Sequence, residues 1–297
     1  MQTVRFDFVE PTTLDEAVAL MAEHGHEAAA VAGGTDLLRD IRTGKRQPAL
    51  VISLARLHTL SGVRPNDDGG LTVGPLTTMA ELARSAVVRE RAPALAEAAG
   101  HVGSPQVRNR ATIGGNLCNA RPCADTAPPV IVHSATLELT GKGGTREVAA
   151  KDFIINPGQT QIETNELLTA IRLPAPGGPA GSAFETLTNR KAVEITITSS
   201  TAWLMLDGDR VAQARICLGS VGPTPLPGLH GEGLLRGADP TPDKLAEAAK
   251  ACVADASSID DFRGSADFRN HLVEVLTRRA LTRALAWALT RGRGGLS

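Results

Sequence analysis

The chain has 297 residues, 42% of them hydrophobic, enough for one large core or two medium ones, and the length favours two domains. With 31 basic against 32 acidic residues, no net field argues for nucleic acid or an anionic membrane surface. The N-terminus shows charges and no apolar leader-like run, and no stretch reaches the roughly 18 apolar residues of a spanning helix, which points to the cytoplasm.

In chain order, Thr13-x-x-Glu16 with Leu14, Ala17, Val18 and Met21 at helical spacing predicts a capped helix over 13–24, closed near Gly25. Segment 28–32 is a short apolar run ending at Gly33-Gly34, the pattern of a buried strand feeding a tight turn. Segments 50–54 and 71–74 read as further strands. Thr78-x-x-Glu81 opens a second helix and Pro93 a third, through Ala99; the Gly-, Ser-, Pro- and Arg-rich stretch up to Arg110 reads as irregular. Segments 130–132 and 136–139 read as strands paired around a turn or short helix.

The Pro- and Gly-rich run 174–181 suits a connector, dividing the chain into domains over 1–176 and 182–292. In the second, 184–187, 195–198 and 214–218 predict a small antiparallel sheet. Phe268, Leu272, Val275, Leu276, Leu281, Leu285 and Leu289 mark one face of a terminal helix. The expected class is α+β.

Two glycine pairs, Gly33-Gly34 and Gly114-Gly115, each follow an apolar stretch and precede a small polar residue, Thr35 or Asn116. Without a Cβ, such turns let amide N–H groups converge on a phosphate oxygen, and Thr35, Asp36, Thr112 and Asn116 add side-chain bonds to a diphosphate or polyol. For one pair alone, a tight turn packed on a neighbouring strand is the commoner explanation; two spaced pairs in one domain shift the balance modestly. Neither loop matches GxGxxG or GxxxxGK, which counts against a Rossmann site or an NTPase. With six Phe, two Trp and no Tyr, a planar ligand must be walled mainly by aliphatic side chains and backbone.

The strings Val31-Ala32-Gly33-Gly34-Thr35-Asp36-Leu37 and Ala111-Thr112-Ile113-Gly114-Gly115-Asn116, with Asp125 nine residues beyond Asn116, resemble the FAD-binding signatures of the medium subunit of the xanthine dehydrogenase and carbon monoxide dehydrogenase family. Arg190-Lys191-Ala192-Val193-Glu194-Ile195, Leu218-Gly219-Ser220-Val221-Gly222-Pro223-Thr224-Pro225 and 261–269 continue the likeness, which covers nearly the whole chain. The resemblance implies a PCMH-type FAD domain of two α+β lobes, followed by a smaller α+β C-terminal domain, with FAD between the lobes. Residues 31–37 would embrace the diphosphate, Thr112, Gly115 and Asn116 would hold it from the other lobe, and Asp125 would bond a polar part of the cofactor. Val102 and Ile195 stand where relatives face the isoalloxazine.

By the same resemblance the chain is the electron-transfer flavin subunit of a molybdenum hydroxylase. Its partners are an iron–sulfur small subunit with two-iron two-sulfur clusters and a molybdopterin large subunit, with NAD, oxygen or another carrier as acceptor. Substrate hydroxylation then needs no catalytic residue from this chain.

Asp125 reads equally as a cap before Pro128, and Arg190 with Lys191 either puts positive charge near the flavin or forms a solvated strand-edge pair. Cys118 and Cys123 lack nearby histidines, so no metal site is expected, and all four cysteines read as reduced thiols. The seven histidines are scattered; His101 stands out only because it adjoins Val102. Two other readings stay open: a self-contained FAD oxidase or dehydrogenase on the same scaffold, and a flavin-free protein whose glycine turns are structural. Thr35 stands where some flavin oxidases carry the histidine that bonds FAD covalently, so that linkage is unavailable.

Overall fold

The computed structural model describes residues 5–190 and 194–294. A first lobe is built from β1 (Asp7–Val9), α1 (Leu14–His24), β2 (Ala28–Val31), α2 (Leu37–Arg42) and β3 (Leu50–Ser53). The predicted capped helix is α1: Thr13 Oγ1 accepts from the Glu16 N–H at 3.2 Å, the Glu16 carboxylate accepts from the Thr12 N–H at 2.9 Å, and Gly25, at φ +50°, ends it. Both β1 and β2 pair parallel to β3, in the order β1-β3-β2, so β2 is an edge strand. Ala17, Val18 and Met21 of α1 close the core on Leu50, Ile52 and Leu167.

The second lobe contains β4 (Val63–Pro65), β5 (Leu71–Val73), α3 (Met79–Arg84), α4 (Ala86–Arg91), α5 (Pro93–His101), α6 (Pro105–Arg108), α7 (Ile113–Asn119), α8 (Ala127–Val132), β6 (Thr136–Gly141), β7 (Gly144–Ala149), α9 (Ala150–Phe153), β8 (Ile154–Asn156), β9 (Gln159–Thr160) and β10 (Glu166–Leu173). Its antiparallel sheet runs β4-β5-β10-β6-β7, while β8 and β9 form a separate hairpin. Thr78 and Glu81 make the expected reciprocal cap of α3.

Three expectations for this lobe are corrected. The stretch before Arg110 is not wholly irregular, because Ser104 Oγ accepts from the Val107 N–H at 3.2 Å and caps α6. Segment 130–132 is helical: Pro128 and Pro129 lack N–H groups and have fixed φ, which suits a first helical turn, and β6 pairs with β7 and β10 instead. Gly114-Gly115 is not a turn but the first turn of α7.

The C-terminal part has β11 (Ala180–Leu187), β12 (Thr198–Asp207), β13 (Arg210–Gly219) and β14 (Leu226–Pro227) in one antiparallel sheet. It is covered by α10 (Leu229–Leu235), α11 (Pro242–Ala251) and α12 (Ala266–Gly294). The strand expected at 195–198 begins only at Thr198 and runs to Asp207, with Thr198–Met205 matched residue for residue against β11. Its polar start hid it: Ser199, Ser200 and Thr201 are buried, and Ser200 Oγ lies 2.8 Å from Thr277 Oγ1 of α12. The terminal helix is present, but its buried stripe is Leu272, Val273, Leu276, Ala280, Leu281, Ala284 and Ala288. Phe268 and Leu289, expected on that face, are 41% and 39% exposed.

The two parts meet along α5. Glu97 Oε2 accepts from the Phe184 N–H at 2.9 Å, and Arg283 of α12 bridges Glu97 and Glu185. Buried His133 pairs through Nε2 with Ser182 Oγ at 3.0 Å; burial, then Arg215 and Arg291, pull it down to about 3, so it is neutral. The α12 backbone rests directly on β11, where a Cβ at Gly181 would stand 2.2 Å from the Ala284 carbonyl oxygen. Gly181→Ala is expected to cost about 1–3 kcal/mol, the usual range for overpacking, read as a lower urea midpoint; an unchanged midpoint contradicts this packing.

Candidate functional site

Strand β2 ends where its chain turns through Ala32, Gly33, Gly34 and Thr35 into α2. Gly34 adopts φ +74°, the left-handed region, and a Cβ there would sit 2.9 Å from Leu38 Cδ1. A Cβ on Gly33 would lie 1.9 Å from the Arg110 carbonyl oxygen, so the first-lobe loop rests directly on the segment that leads into α7. The two glycine pairs thus border one space.

They do not offer the same chemistry. Among the described residues, none accepts a hydrogen bond from the main-chain N–H of Gly33, Gly34, Thr35, Asp36 or Leu37. At α7 the amides are already used: Ile113 N–H donates to the Thr77 carbonyl at 3.1 Å, Gly114 to the Pro75 carbonyl at 2.8 Å, Gly115 to Thr112 Oγ1 at 3.1 Å and Asn116 to the Thr112 carbonyl at 3.0 Å. Gly114 is required by packing, since its Cβ would lie 2.6 Å from Pro75 Cβ. What α7 presents is side chain. Asn116 Oδ1 accepts from Thr126 Oγ1 at 2.6 Å and from the Thr126 N–H at 3.4 Å, which fixes the carboxamide and leaves its NH₂ to donate elsewhere.

The space is a cleft of about 1100 Å³, above the usual range for organic-ligand pockets, about 300–1000 Å³. Val31, Ala32, Gly33, Gly34, Thr35, Asp36, Leu37, Val102, Thr112, Gly115 and Asn116 all line it. Ile195 and Asp125 are not among its lining residues, and Lys191 lies outside the described residues. Ile195 is 42% exposed, and Asp125 Oδ1 accepts from Thr196 Oγ1 at 2.7 Å, across the seam between the two parts of the chain. His101 turns away from the cleft, its ring centroid 6.4 Å from that of Phe184.

Sequence reasoning missed much of the wall: the β2 edge at Ala28 and Ala30, Leu76, and the β8–β9 hairpin with Ile155 and Pro157. Pro157-Gly158 marks a turn and was the available signal; Gly158, at φ +76°, donates its N–H to the Ala120 carbonyl at 2.9 Å, pinning the hairpin to the end of α7. Among the described residues, no Phe or Trp lines the cleft; its walls combine aliphatic side chains and backbone with charged groups such as Arg39, Lys45, Arg46 and Glu163. Cys118 also faces it, with its thiol pushed up to about 12 by burial; all four cysteines are free. Among the described residues, no group of three His, Cys, Asp or Glu is placed to hold a metal, and no helix is long and apolar enough to cross a membrane.

Burial lifts the Asp125 carboxyl to about 6, against the lowering effect of the Thr196 hydrogen bond. An acid whose folded-state pKa exceeds its unfolded value costs stability as pH rises through the interval between them. Asp125→Asn is therefore expected to stabilise the ligand-free chain above about pH 7 and to leave it unchanged below about pH 4. Urea denaturation at both pH values checks this, and an equal effect at both contradicts it.

Comparison with known proteins gives concordant results. Residues 4–176 match the family described as the FAD binding domain in molybdopterin dehydrogenase, and residues 182–284 the CO dehydrogenase flavoprotein C-terminal domain. The chain is 31% identical over 287 residues to a putative xanthine dehydrogenase FAD-binding subunit of Escherichia coli, covering 95% of this chain and 98% of that one. It is 34% identical over 284 residues to the carbon monoxide dehydrogenase medium chain of Hydrogenophaga pseudoflava, covering 96% and 98%. The solved carbon monoxide dehydrogenase from that organism superposes with a TM-score of 0.91 at 33% identity, covering 96% of this chain and 99% of that one. Quinoline 2-oxidoreductase from Pseudomonas putida 86 gives 0.89 at 26% identity, covering 98% and 100%. The residues fit the cofactor: five free amides on one loop suit a diphosphate, and the cleft is large enough for a dinucleotide. The chain belongs to the FAD-binding subunits of the molybdenum hydroxylases, the xanthine and carbon monoxide dehydrogenase family, and is an FAD-dependent oxidoreductase subunit.

Proposed function

We propose that this chain holds FAD in the inter-lobe cleft. In this reading it receives electrons from two-iron two-sulfur clusters of a partner small subunit, fed by a molybdopterin large subunit, and passes them to NAD, oxygen or another carrier in the cytoplasm. The unpaired amides of Gly33, Gly34, Thr35, Asp36 and Leu37 carry this reading, because an anion is the partner that best replaces water there. From the second lobe, the Asn116 NH₂ and the Thr112 hydroxyl donate to the same phosphates or to the ribityl chain, while Gly115 leaves room for them. Val31 and Leu37 close the first-lobe side, and Val102, at the end of α5, supplies an aliphatic wall for the ring. Asp125 and Ile195 flank Thr196 outside the cleft lining, at the seam between a domain over 1–176 and one over 182–292; their contact with the cofactor rests on the family resemblance alone.

Bound FAD supplies a carrier that accepts electrons singly and releases them in pairs. The chain's own residues bind it, orient it and exclude water from it. The relatives named as a dehydrogenase medium chain and as a dehydrogenase subunit support action within a complex.

Wild-type chain, stripped and titrated with FAD, is expected to regain a bound-flavin visible spectrum at one FAD per chain. Gly34→Val with Asn116→Ala is expected to lose it; unchanged FAD content in the double variant contradicts the site. Co-expression with neighbouring genes is expected to yield a complex containing molybdenum and iron. A yellow chain that purifies alone and turns over an organic substrate would favour a self-contained dehydrogenase instead.

A further inference from the structure

The loop that offers free amides also carries carboxylates. Asp36 and Asp40 both line the cleft, where a diphosphate meets them as like charges. Arg39 answers only in part: its Nη2 is shared between Asp36 Oδ1 at 3.0 Å and Asp40 Oδ1 at 3.2 Å, one cation against two anions. The second cation comes from the second lobe, just beyond α7. Arg121 Nη2 lies 3.4 Å from Asp36 Oδ1 and 3.8 Å from Asp40 Oδ1, which balances the cluster at two against two.

Arg121 is held for this task from three directions. It follows Ala120, which ends α7 at φ +46°, and the Ala120 carbonyl accepts from the Gly158 N–H at 2.9 Å. The Pro122 carbonyl accepts from the Ser220 N–H of the C-terminal part at 3.2 Å, and the Arg121 carbonyl from the Ala124 N–H at 2.9 Å. A turn tied to the hairpin, to the C-terminal sheet and to itself thus sends one guanidinium to the first-lobe loop.

We propose that Arg121 is a positioning residue for FAD: it cancels the charge of Asp36 beside the diphosphate and latches the amide loop of the first lobe to the second. This inference rests on the diphosphate reading above. Lys45 and Arg46 also line the cleft, but among the described residues neither is ion-paired to Asp36 or Asp40, so removing Arg121 leaves that cluster one cation short next to an anionic ligand, and the loss of affinity is electrostatic and falls with added salt.

The test measures the Kd for FAD of wild type, Arg121→Met, Arg121→Lys and Arg121→Met with Asp36→Asn, with a circular-dichroism melt to confirm that each folds. At low ionic strength Arg121→Met is expected to raise Kd about fivefold, the upper end for an ion pair open to water. At about 0.5 M salt the ratio is expected to fall below about twofold. Arg121→Lys keeps most of the affinity, and Asp36→Asn restores it in the Arg121→Met background. Wild type that binds no FAD removes the site itself. Wild type that binds, with Arg121→Met equally tight, or weakened alike at both salts and not rescued by Asp36→Asn, removes only the role of Arg121.

Discussion

A glycine lying on a carbonyl group governs the site. Gly33 approaches the Arg110 carbonyl so closely that a single methyl would collide with it, and this approach sets the first-lobe loop against the entrance to α7. Without it the amides after β2 and the side chains of α7 would border separate surfaces. The chain leaving β2 turns through residues that line the cleft, and among the described residues nothing accepts from the N–H groups of 33–37. An unpaired amide is costly only when buried away from water, commonly about 1–3 kcal/mol; facing a solvated cleft, these amides exchange water for an anion at little cost.

The lobes divide the work. One offers backbone, with glycines that permit the turn; the other offers side chains, its helix amides being consumed by Thr77, Pro75 and Thr112. Asn116 illustrates the second mode, since Thr126 fixes its carbonyl and thereby aims its NH₂. Arg121 links the lobes, its guanidinium reaching from just beyond α7 to Asp36 of the loop. Val102, which lines the cleft, caps α5, the helix that Glu97 and Arg283 clamp to the C-terminal sheet, so packing between the two parts fixes one wall of the cleft.

Much of this was legible in the residues and some was not, for physical reasons. The Thr13 and Thr78 caps, the strands at β2 and β3 and the Gly33-Gly34 turn are local signals, and the structure keeps each near its expected place. Gly114-Gly115 misled, because a glycine pair is also tolerated where a helix start presses on a neighbouring backbone, and Pro75 is what demands it. Segment 130–132 looked like a strand from three β-branched residues, yet two preceding prolines had already chosen a helical turn. β12 was misplaced because its serines and threonines are buried, Ser200 against Thr277 of α12, a tertiary fact that no alternation of apolar residues reveals. Arg121 could not be found either; nothing near it in sequence shows that Asp36, 85 residues away, is its partner.

The account stands on which amides are free. Hydrogen exchange of the apo chain, followed residue by residue as FAD is added, reads that directly. The account predicts fast exchange at 33–37 without FAD and strong protection with it, while 113–116, already bonded, are protected in both states. Amides at 33–37 that exchange equally fast with FAD bound would contradict it.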